Sequence, residues 1–296
     1  MDVWDTDRGL PHYSVIALAQ TRDGYLWAAT NEGLVRFDGS SFEITTTANT
    51  AGFPGDFVIS LLADRSGRLW AGTDHGVACL SNGRWLAYHG GQGLPRNELA
   101  SRIFEDKNGT ILVVVDRQLF ALQEGRFVLR APPSGDDWHG YAQSGGDLWA
   151  YGFRSLAFWD GQTWRPVSLP ADLGAVQGIA PARGGGMWIS GERAIRSYRN
   201  GSWTRPLPIP AGVDFRASIL LEDSLGNLWA GDESRGILAF TKDGRVLSFA
   251  RAEGIPHLQT RAMLEDAEGN IWVGTVAEAW HASSPARFSI TERRMA

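Results

Sequence analysis

The protein is a chain of 296 residues with a formal net charge of −5; 43% of its residues are hydrophobic, and it contains 13 tryptophans and 36 glycines. This composition excludes a disordered chain, and the slightly acidic balance disfavours a nucleic-acid partner because it supplies no basic field for phosphates. The sequence has no run of 18 apolar residues and no basic segment followed by an apolar one at its start, so we expect no direct membrane contact and no signal peptide in these residues.

The first forty residues predict four short strands joined by tight turns. Residues 14–19 alternate in polarity and end at a turn in which Gly24 supplies positive φ. Residues 26–30 form the second strand and residues 34–37 the third, and an Asp-Gly pair precedes a fourth strand around Phe42. This order predicts an antiparallel meander.

The same unit recurs along the whole chain. A glycine followed three residues later by tryptophan, or once by leucine, returns at intervals of 37 to 43 residues. The pairs are Gly24/Trp27, Gly67/Trp70, Gly109/Leu112, Gly146/Trp149, Gly185/Trp188, Gly226/Trp229 and Gly269/Trp272. A fixed period of about 40 residues with strand and turn chemistry is typical of a β-propeller blade.

We therefore predict an all-β fold, a single seven-bladed β-propeller of four-stranded antiparallel blades over residues 1–296. The approximate blades are 12–53, 54–95, 96–134, 135–174, 175–212, 213–255 and 256–292. Residues 1–11 resemble the end of an outer strand and are expected to pair with the last blade and close the ring. The third and last blades are expected to be irregular, because Leu112 replaces a tryptophan and Pro285 replaces a turn glycine. In the last blade, residues 278–281 read as the third strand and Phe288 as part of the fourth.

The repeated tryptophans predict core packing between sheets, with a hydrogen-bond partner for each indole N–H. Carboxylate pairs recur just before the turn in three blades, at Glu105-Asp106, Glu222-Asp223 and Glu265-Asp266. Because they repeat with the fold, we interpret these carboxylates as structural and not as an acid and base pair.

Residues that break the repeat are the better candidates for function. In a propeller, the loops from one blade to the next and the loops between second and third strands lie on one face, where pockets form. These loops include Asp56-Phe57 and Asp74-His75. The ligand-binding candidates on this face are Tyr13, Phe57, Trp138, His139, Arg154, Arg193, Phe215, Arg216 and His257. Flat apolar rings beside arginine forks suit a carbohydrate or a peptide segment.

The sequence predicts no catalytic residue, no metal site and no cofactor. The six histidines are scattered, without the spacing of metal ligands, and Cys79 is the single cysteine. Neither a nucleophile elbow nor a glycine-rich phosphate loop is present.

The segments 14–27 and 31–39, with Leu69-Trp70-Ala71-Gly72-Thr73 and its counterparts at 227–231 and 270–275, closely resemble the two-component regulator propeller repeat. This resemblance implies a sensor domain of a membrane-bound or hybrid histidine kinase, located in the periplasm or outside the cytoplasm. It implies an oligosaccharide or similar small ligand, and flanking immunoglobulin-like and kinase modules elsewhere in the parent chain. Kinase activity cannot reside in these residues, because they contain no phosphoacceptor box or nucleotide-binding glycines.

Three functions remain open at this stage. The first is a non-catalytic ligand-binding sensor domain for two-component signal transduction by phosphorelay. The second is a propeller enzyme of the streptogramin-lyase type, in which metal-dependent turnover would depend on His139 or His257. The third is a platform for protein–protein interaction or dimerisation, and the sequence leaves open whether the domain forms a homodimer.

Overall fold

The computed structural model describes residues 2–95, 99–133, 138–144, 147–209, 216–232, 236–249, 259–276 and 287–291, with the side chains of 2, 3, 139 and 287–291 outside the description. The described part of the chain is built from β-strands and two 3₁₀ turns, Thr6–Arg8 and Gly90–Gln92. By its contacts the chain divides into two compact units, Met1–Pro132 with Arg261–Ala296, and Pro133–Thr260.

The first unit contains three sheets in which four consecutive strands form an antiparallel meander. Blade 1 consists of β2 (Val15–Gln20), β3 (Leu26–Thr30), β4 (Gly33–Phe37) and β5 (Phe42–Thr45). Blade 2 consists of β6 (Val58–Ala63), β7 (Leu69–Thr73), β8 (Gly76–Ser81) and β9 (Arg84–Tyr88). Blade 3 consists of β10 (Ala100–Glu105), β11 (Ile111–Val115), β12 (Gln118–Gln123) and β13 (Arg126–Arg130).

The second unit contains three further meanders of the same kind. Blade 4 consists of β14 (Trp138–Ser144), β15 (Asp147–Gly152), β16 (Leu156–Trp159) and β17 (Trp164–Pro166). Blade 5 consists of β18 (Val176–Pro181), β19 (Met187–Gly191), β20 (Ile195–Arg199) and β21 (Ser202–Trp203). Blade 6 consists of β22 (Ala217–Glu222), β23 (Leu228–Asp232), β24 (Ile237–Phe240) and β25 (Val246–Phe249).

The prediction of a seven-bladed propeller with four-stranded antiparallel blades is corrected by the structure: the described residues form six such blades, each from four consecutive strands. A composite sheet in the first unit is ordered β1 (Asp2–Asp5), β28 (Arg287–Thr291), β27 (Ile271–Thr275) and β26 (Thr260–Glu265). Phe288 therefore lies in a strand, β28, that pairs directly with β27. Residues 278–281 were expected to form the strand next to β27. Those residues lie outside the described part of the chain. The unpaired edge of β28 takes the N-terminal strand, because an edge strand pairs with any strand that offers free N–H and C=O groups.

A carboxylate organises the turn between the first and second strands of a blade. In blade 2, Asp64 Oδ1 accepts the backbone N–H groups of Ser66 and Arg68, and Oδ2 accepts the indole N–H of Trp70 at 2.8 Å. Asp223 and Asp266 hold their turns and the indoles of Trp229 and Trp272 in the same way. The structural interpretation of the recurring Asp is therefore confirmed at these turns.

The repeated tryptophans pack between neighbouring sheets. Trp70 of blade 2 is fully buried against Ile111 and Val113 of blade 3, and Trp27 of blade 1 packs with Leu69 of blade 2. The core prediction is confirmed for these residues and for Trp149, Trp229 and Trp272, which are buried, whereas Trp188 is half-buried. The indole nitrogen of Trp149 has no partner among the described residues; Gln143 occupies the position, six residues before the tryptophan, where blades 2 and 6 have the Asp that accepts the indole N–H.

Blade 3 is a complete meander despite its unusual sequence. Leu112 and the three valines after it are buried and occupy the second strand. The irregularity lies in the β11–β12 turn, where Asp116 and Arg117 take positive φ values of 47° and 59° in place of a glycine.

Candidate functional site

Loops of two classes meet beside blade 2 in the first unit. The connection from β5 to β6 brings the chain from blade 1, and the β7–β8 turn carries Asp74 and His75. The backbone N–H of Asp74 donates to the carbonyl oxygen of Phe57 at 3.1 Å, which joins the two loops. At this place the loops gather as the fold class predicts.

The β5–β6 connection is held by its own side chains. Asn49 Oδ1 accepts the backbone N–H of Thr46, and Asp56 Oδ1 accepts that of Thr47 at 2.6 Å. Phe53 is buried, and its ring meets that of Trp85 edge to face with centroids 5.0 Å apart. These contacts hold the β5–β6 connection in one conformation, so that it can form one side of a cavity.

A cavity of about 630 Å³ opens against this wall. It is lined by Gly52, Phe53, Pro54, His75, Ala87, His89, Gly90 and Gly91. Its residues come from the β5–β6 connection, the β7–β8 turn, the end of β9 and the segment after it. A cavity of this size with a few polar groups and exposed backbone suits a small ligand or one residue of a larger one.

His75, which lines the cavity, is paired with the carboxylate of Asp74. Nδ1 of His75 lies 3.1 Å from Oδ1 of Asp74. A Cβ atom built on Gly55 would lie 2.2 Å from that carboxylate oxygen and 3.2 Å from Nδ1 of His75. Only glycine at position 55 therefore allows the carboxylate and the imidazole to sit where they do.

Tyr13, a predicted site residue, lies at the start of blade 1 beside His12. Its side chain is exposed, and its ring centroid lies 4.0 Å from that of the nearly buried His12. His12 Nδ1 accepts the backbone N–H of Ser14 at 3.0 Å. Burial lowers the pKa of His12 below its ordinary value, although the carboxylate of Glu32 acts in the opposite direction.

The other predicted residue of the first unit is Phe57, which is half-buried and contacts the Asp74 turn through its backbone. Its side chain does not line the cavity, although the neighbouring connection does. In the second unit, Trp138 is half-buried at the start of β14, where it lies opposite Gly152. His139 follows it in the strand, with its side chain outside the description.

The predicted arginines of the second unit lie on loops of the expected classes. Arg154 and Arg193 are exposed. Their loops both contact residues 173–176: Val176 N–H donates to the Phe153 carbonyl at 2.8 Å, and Arg193 N–H donates to that of Leu173 at 3.1 Å. Arg216 is exposed, and its backbone N–H donates to the buried Asp232 Oδ2 at 2.6 Å. Phe215 and His257 lie outside the described residues. The ligand-binding role of all nine residues stays a prediction.

The described residues contain no group of three or more His, Cys, Asp or Glu side chains that could hold a metal ion. Burial raises the pKa of the Cys79 thiol to about 11, so this thiol is protonated at neutral pH. Among the described residues, no helix is long and apolar enough to cross a bilayer.

Sequence reasoning did not select Phe53, His75 or His89 as site residues. His75 could have been found, because it occupies the loop class already assigned to the binding face. Phe53 and His89 carry no such signal: they approach His75 only when the segments before and after blade 2 fold against it.

Comparison with known proteins gives matching repeats and a shared fold. Three segments of the chain, residues 9–32, 52–75 and 254–277, match the model of the two component regulator propeller. The resemblance seen in the sequence is confirmed in these three repeats. No match is found among curated proteins.

Solved structures with the same architecture come from different functional classes. The extracellular domain assigned to a hybrid two component system of B. thetaiotaomicron has a TM-score of 0.73 and 18% identity over 92% of this chain. This chain spans 40% of the length of that one. A streptogramin B lyase has a TM-score of 0.72 and 15% identity, with 98% of each chain covered. Virginiamycin B lyase from Staphylococcus aureus has a TM-score of 0.72 and 14% identity, covering 93% of this chain and 95% of its own. At these identities the likeness establishes the propeller architecture alone.

Proposed function

We propose that this chain, which carries two component regulator propeller repeats, is a non-catalytic ligand-binding sensor domain of a two-component signalling protein. The observation that carries the proposal is the match of three segments to that repeat. It is supported by the shared architecture with an extracellular domain of a two component system. On this proposal the ligand is an oligosaccharide or a similar extracytoplasmic molecule, and the domain works in the periplasm beside immunoglobulin-like and kinase modules of a longer chain.

The sensor proposal is tested by ligand-induced stabilisation. A molecule that binds only the folded domain raises its free energy of unfolding by about 2.7 kcal/mol when its concentration is 100 times Kd. Thermal unfolding is measured with panels of neutral oligosaccharides, acidic oligosaccharides and peptides. We expect saturable stabilisation by one class. The absence of a shift from every panel at millimolar concentration would contradict the proposal.

A propeller lyase is a second candidate, because the match to the streptogramin B lyase covers nearly the whole chain, two histidines line one cavity here, and a carboxylate lies beside one of them. The test is incubation with virginiamycin B and a divalent metal, followed by mass spectrometry of the antibiotic. A converted product that is lost in His75→Ala supports an enzyme. An unchanged antibiotic at micromolar enzyme argues against this lyase activity and is the result that the sensor proposal expects.

A further inference from the structure

The carboxylate of Asp74, beside His75, has a buried oxygen, Oδ1, that makes no hydrogen bond within the described residues. A buried acceptor without a donor costs about 1–3 kcal/mol. The imidazole Nδ1 of His75, 3.1 Å away, is a donor that can satisfy it after a small rotation.

This arrangement selects one state of the imidazole. A neutral histidine carries its proton on one ring nitrogen, and the hydrogen bond made by that nitrogen decides which one it is. A proton on Nδ1 of His75 serves the carboxylate of Asp74 and leaves a lone pair on Nε2. The half-exposed His75 lines the cavity, so it offers a hydrogen-bond acceptor there.

The remaining walls define what can meet this acceptor. Phe53 and Pro54 supply an apolar side, and Gly52, Gly90 and Gly91 bring the backbone close without side chains. His89 lies on the wall formed after β9. A ligand carboxylate would face the Nε2 lone pair and stand near the charge of Asp74, which is unfavourable. A hydroxyl group can donate to Nε2 and accept from another group at the same time.

We infer that the cavity is a subsite for a hydroxyl-bearing, uncharged sugar residue, in which Asp74 is a positioning residue that fixes His75 with Nε2 as the acceptor. This inference rests on the proposed sensor function. It adds the location of a subsite, the class of ligand, and the direction of one hydrogen bond, in which a ligand hydroxyl donates to Nε2 of His75. Gly55 is part of this arrangement, because a side chain at position 55 would displace Asp74 and His75.

The tautomer is tested without any ligand. Nitrogen-15 NMR of the histidine rings at pH 8, with His75 assigned by comparison with His75→Ala, reports which nitrogen is protonated. We expect Nδ1–H in the wild type and loss of this preference in Asp74→Asn. Glu32→Gln, which changes the corresponding turn of blade 1, is the matched control and should leave His75 unchanged. A wild-type His75 that carries its proton on Nε2 overturns the inference even if the domain binds sugars.

The subsite is tested by calorimetric titration with neutral trisaccharides, namely xylotriose, cellotriose and mannotriose, and with trigalacturonate as the acidic counterpart. We expect a neutral trisaccharide to bind, with affinity reduced about tenfold or more in His75→Ala, in Asp74→Asn and in Gly55→Ala, the loss of about one good hydrogen bond. Glu32→Gln should bind as the wild type does.

The remaining outcomes separate the subsite from the sensor function. A neutral sugar that binds with equal strength to wild type and His75→Ala overturns the subsite but supports the sensor proposal. Binding of trigalacturonate alone overturns the ligand class and also leaves a sensor. Failure of all four sugars overturns the assignment to an uncharged sugar, and the peptide panel then decides whether the sensor proposal survives.

Discussion

At the scale of single residues, the environment sets the chemistry of side chains that look alike in the sequence. His12 is nearly buried, stacks on Tyr13 and accepts a backbone N–H, whereas His75 is half-exposed beside a carboxylate. Asp38, on the surface, has a pKa lowered by the N–H and hydroxyl groups of Ser40 and Ser41. Residue type alone therefore does not separate a structural histidine from one that lines a cavity.

The lowered pKa of His12 predicts a specific pH dependence of stability. As pH falls below the ordinary value of 6.5, the unfolded chain binds a proton at His12 before the folded protein does, so the free energy of unfolding decreases. His12→Asn keeps an acceptor for the Ser14 N–H, as an Asx turn does, but cannot titrate. Urea unfolding at pH 7.5 and pH 5.5 should show a smaller loss of stability in the variant. Equal losses in the two proteins would show that His12 makes no such contribution.

At the scale of elements, the turns of neighbouring blades are connected by a polar residue that ends the first strand of the next blade. Glu105 Oε2 accepts the Arg65 N–H at 2.8 Å, Glu222 Oε2 accepts the Arg183 N–H at 2.8 Å, and Gln20 Oε1 accepts the Ala267 N–H at 2.7 Å. In both units, the residue at this position therefore accepts a backbone N–H from the turn of the preceding blade or sheet. This explains why an acid precedes the turn Asp in blades 3 and 6 without any catalytic role.

Glu222 has further partners, and its removal should weaken the contact between blades 5 and 6. Its Oε2 also accepts the indole N–H of Trp188 at 2.6 Å and a guanidinium N–H of Arg199 at 3.0 Å. Glu222→Ala should lower the free energy of unfolding by about 1–3 kcal/mol, because the partly buried donors of Trp188 and Arg199 lose their acceptor, and should change the tryptophan fluorescence. Glu222→Gln keeps an acceptor and should cost less.

The control for this prediction is Glu43→Ala, since Glu43, on the outer strand β5 of blade 1, is largely exposed and pairs with Arg36 of β4. Its cost should stay within about 0.5 kcal/mol. If both alanine variants were equally stable, the contact from Glu222 to the preceding turn would be dispensable.

At the scale of the whole molecule, the two ends of the chain share one sheet in the first unit. Trp4 of β1 packs against Phe37 at 4.5 Å and Phe42 at 5.9 Å between ring centroids, so the N-terminal strand also covers blade 1. The N-terminal strand thereby stabilises both the composite sheet, through pairing with β28, and blade 1, through the packing of Trp4. Loss of this packing should be felt by the composite sheet and blade 1 together.

Trp4→Ala tests this connection. We expect a loss of about 2–4 kcal/mol in the free energy of unfolding, slightly below that of a fully buried tryptophan because Trp4 is half-buried. Trp4→Phe is the matched control: the indole nitrogen has no partner among the described residues, so the smaller ring should keep most of the stability. Chemical unfolding of both variants gives the comparison. An alanine variant as stable as the phenylalanine variant would show that β1 contributes little.

The sequence by itself determined the repeating strands, the turns and the core tryptophans, because these depend on local chemistry: a glycine with positive φ, an alternating strand and an indole return every 40 residues. It also predicted which loop classes gather on one face. It further predicted that the N-terminal residues pair with the last blade. Only the tertiary structure decided that β28 lies directly between β27 and β1, because strand order depends on which strand edge is free. It alone brought His75, His89 and Phe53 around one cavity and placed the Asp74 carboxylate beside an imidazole, since these contacts join segments that no local pattern links.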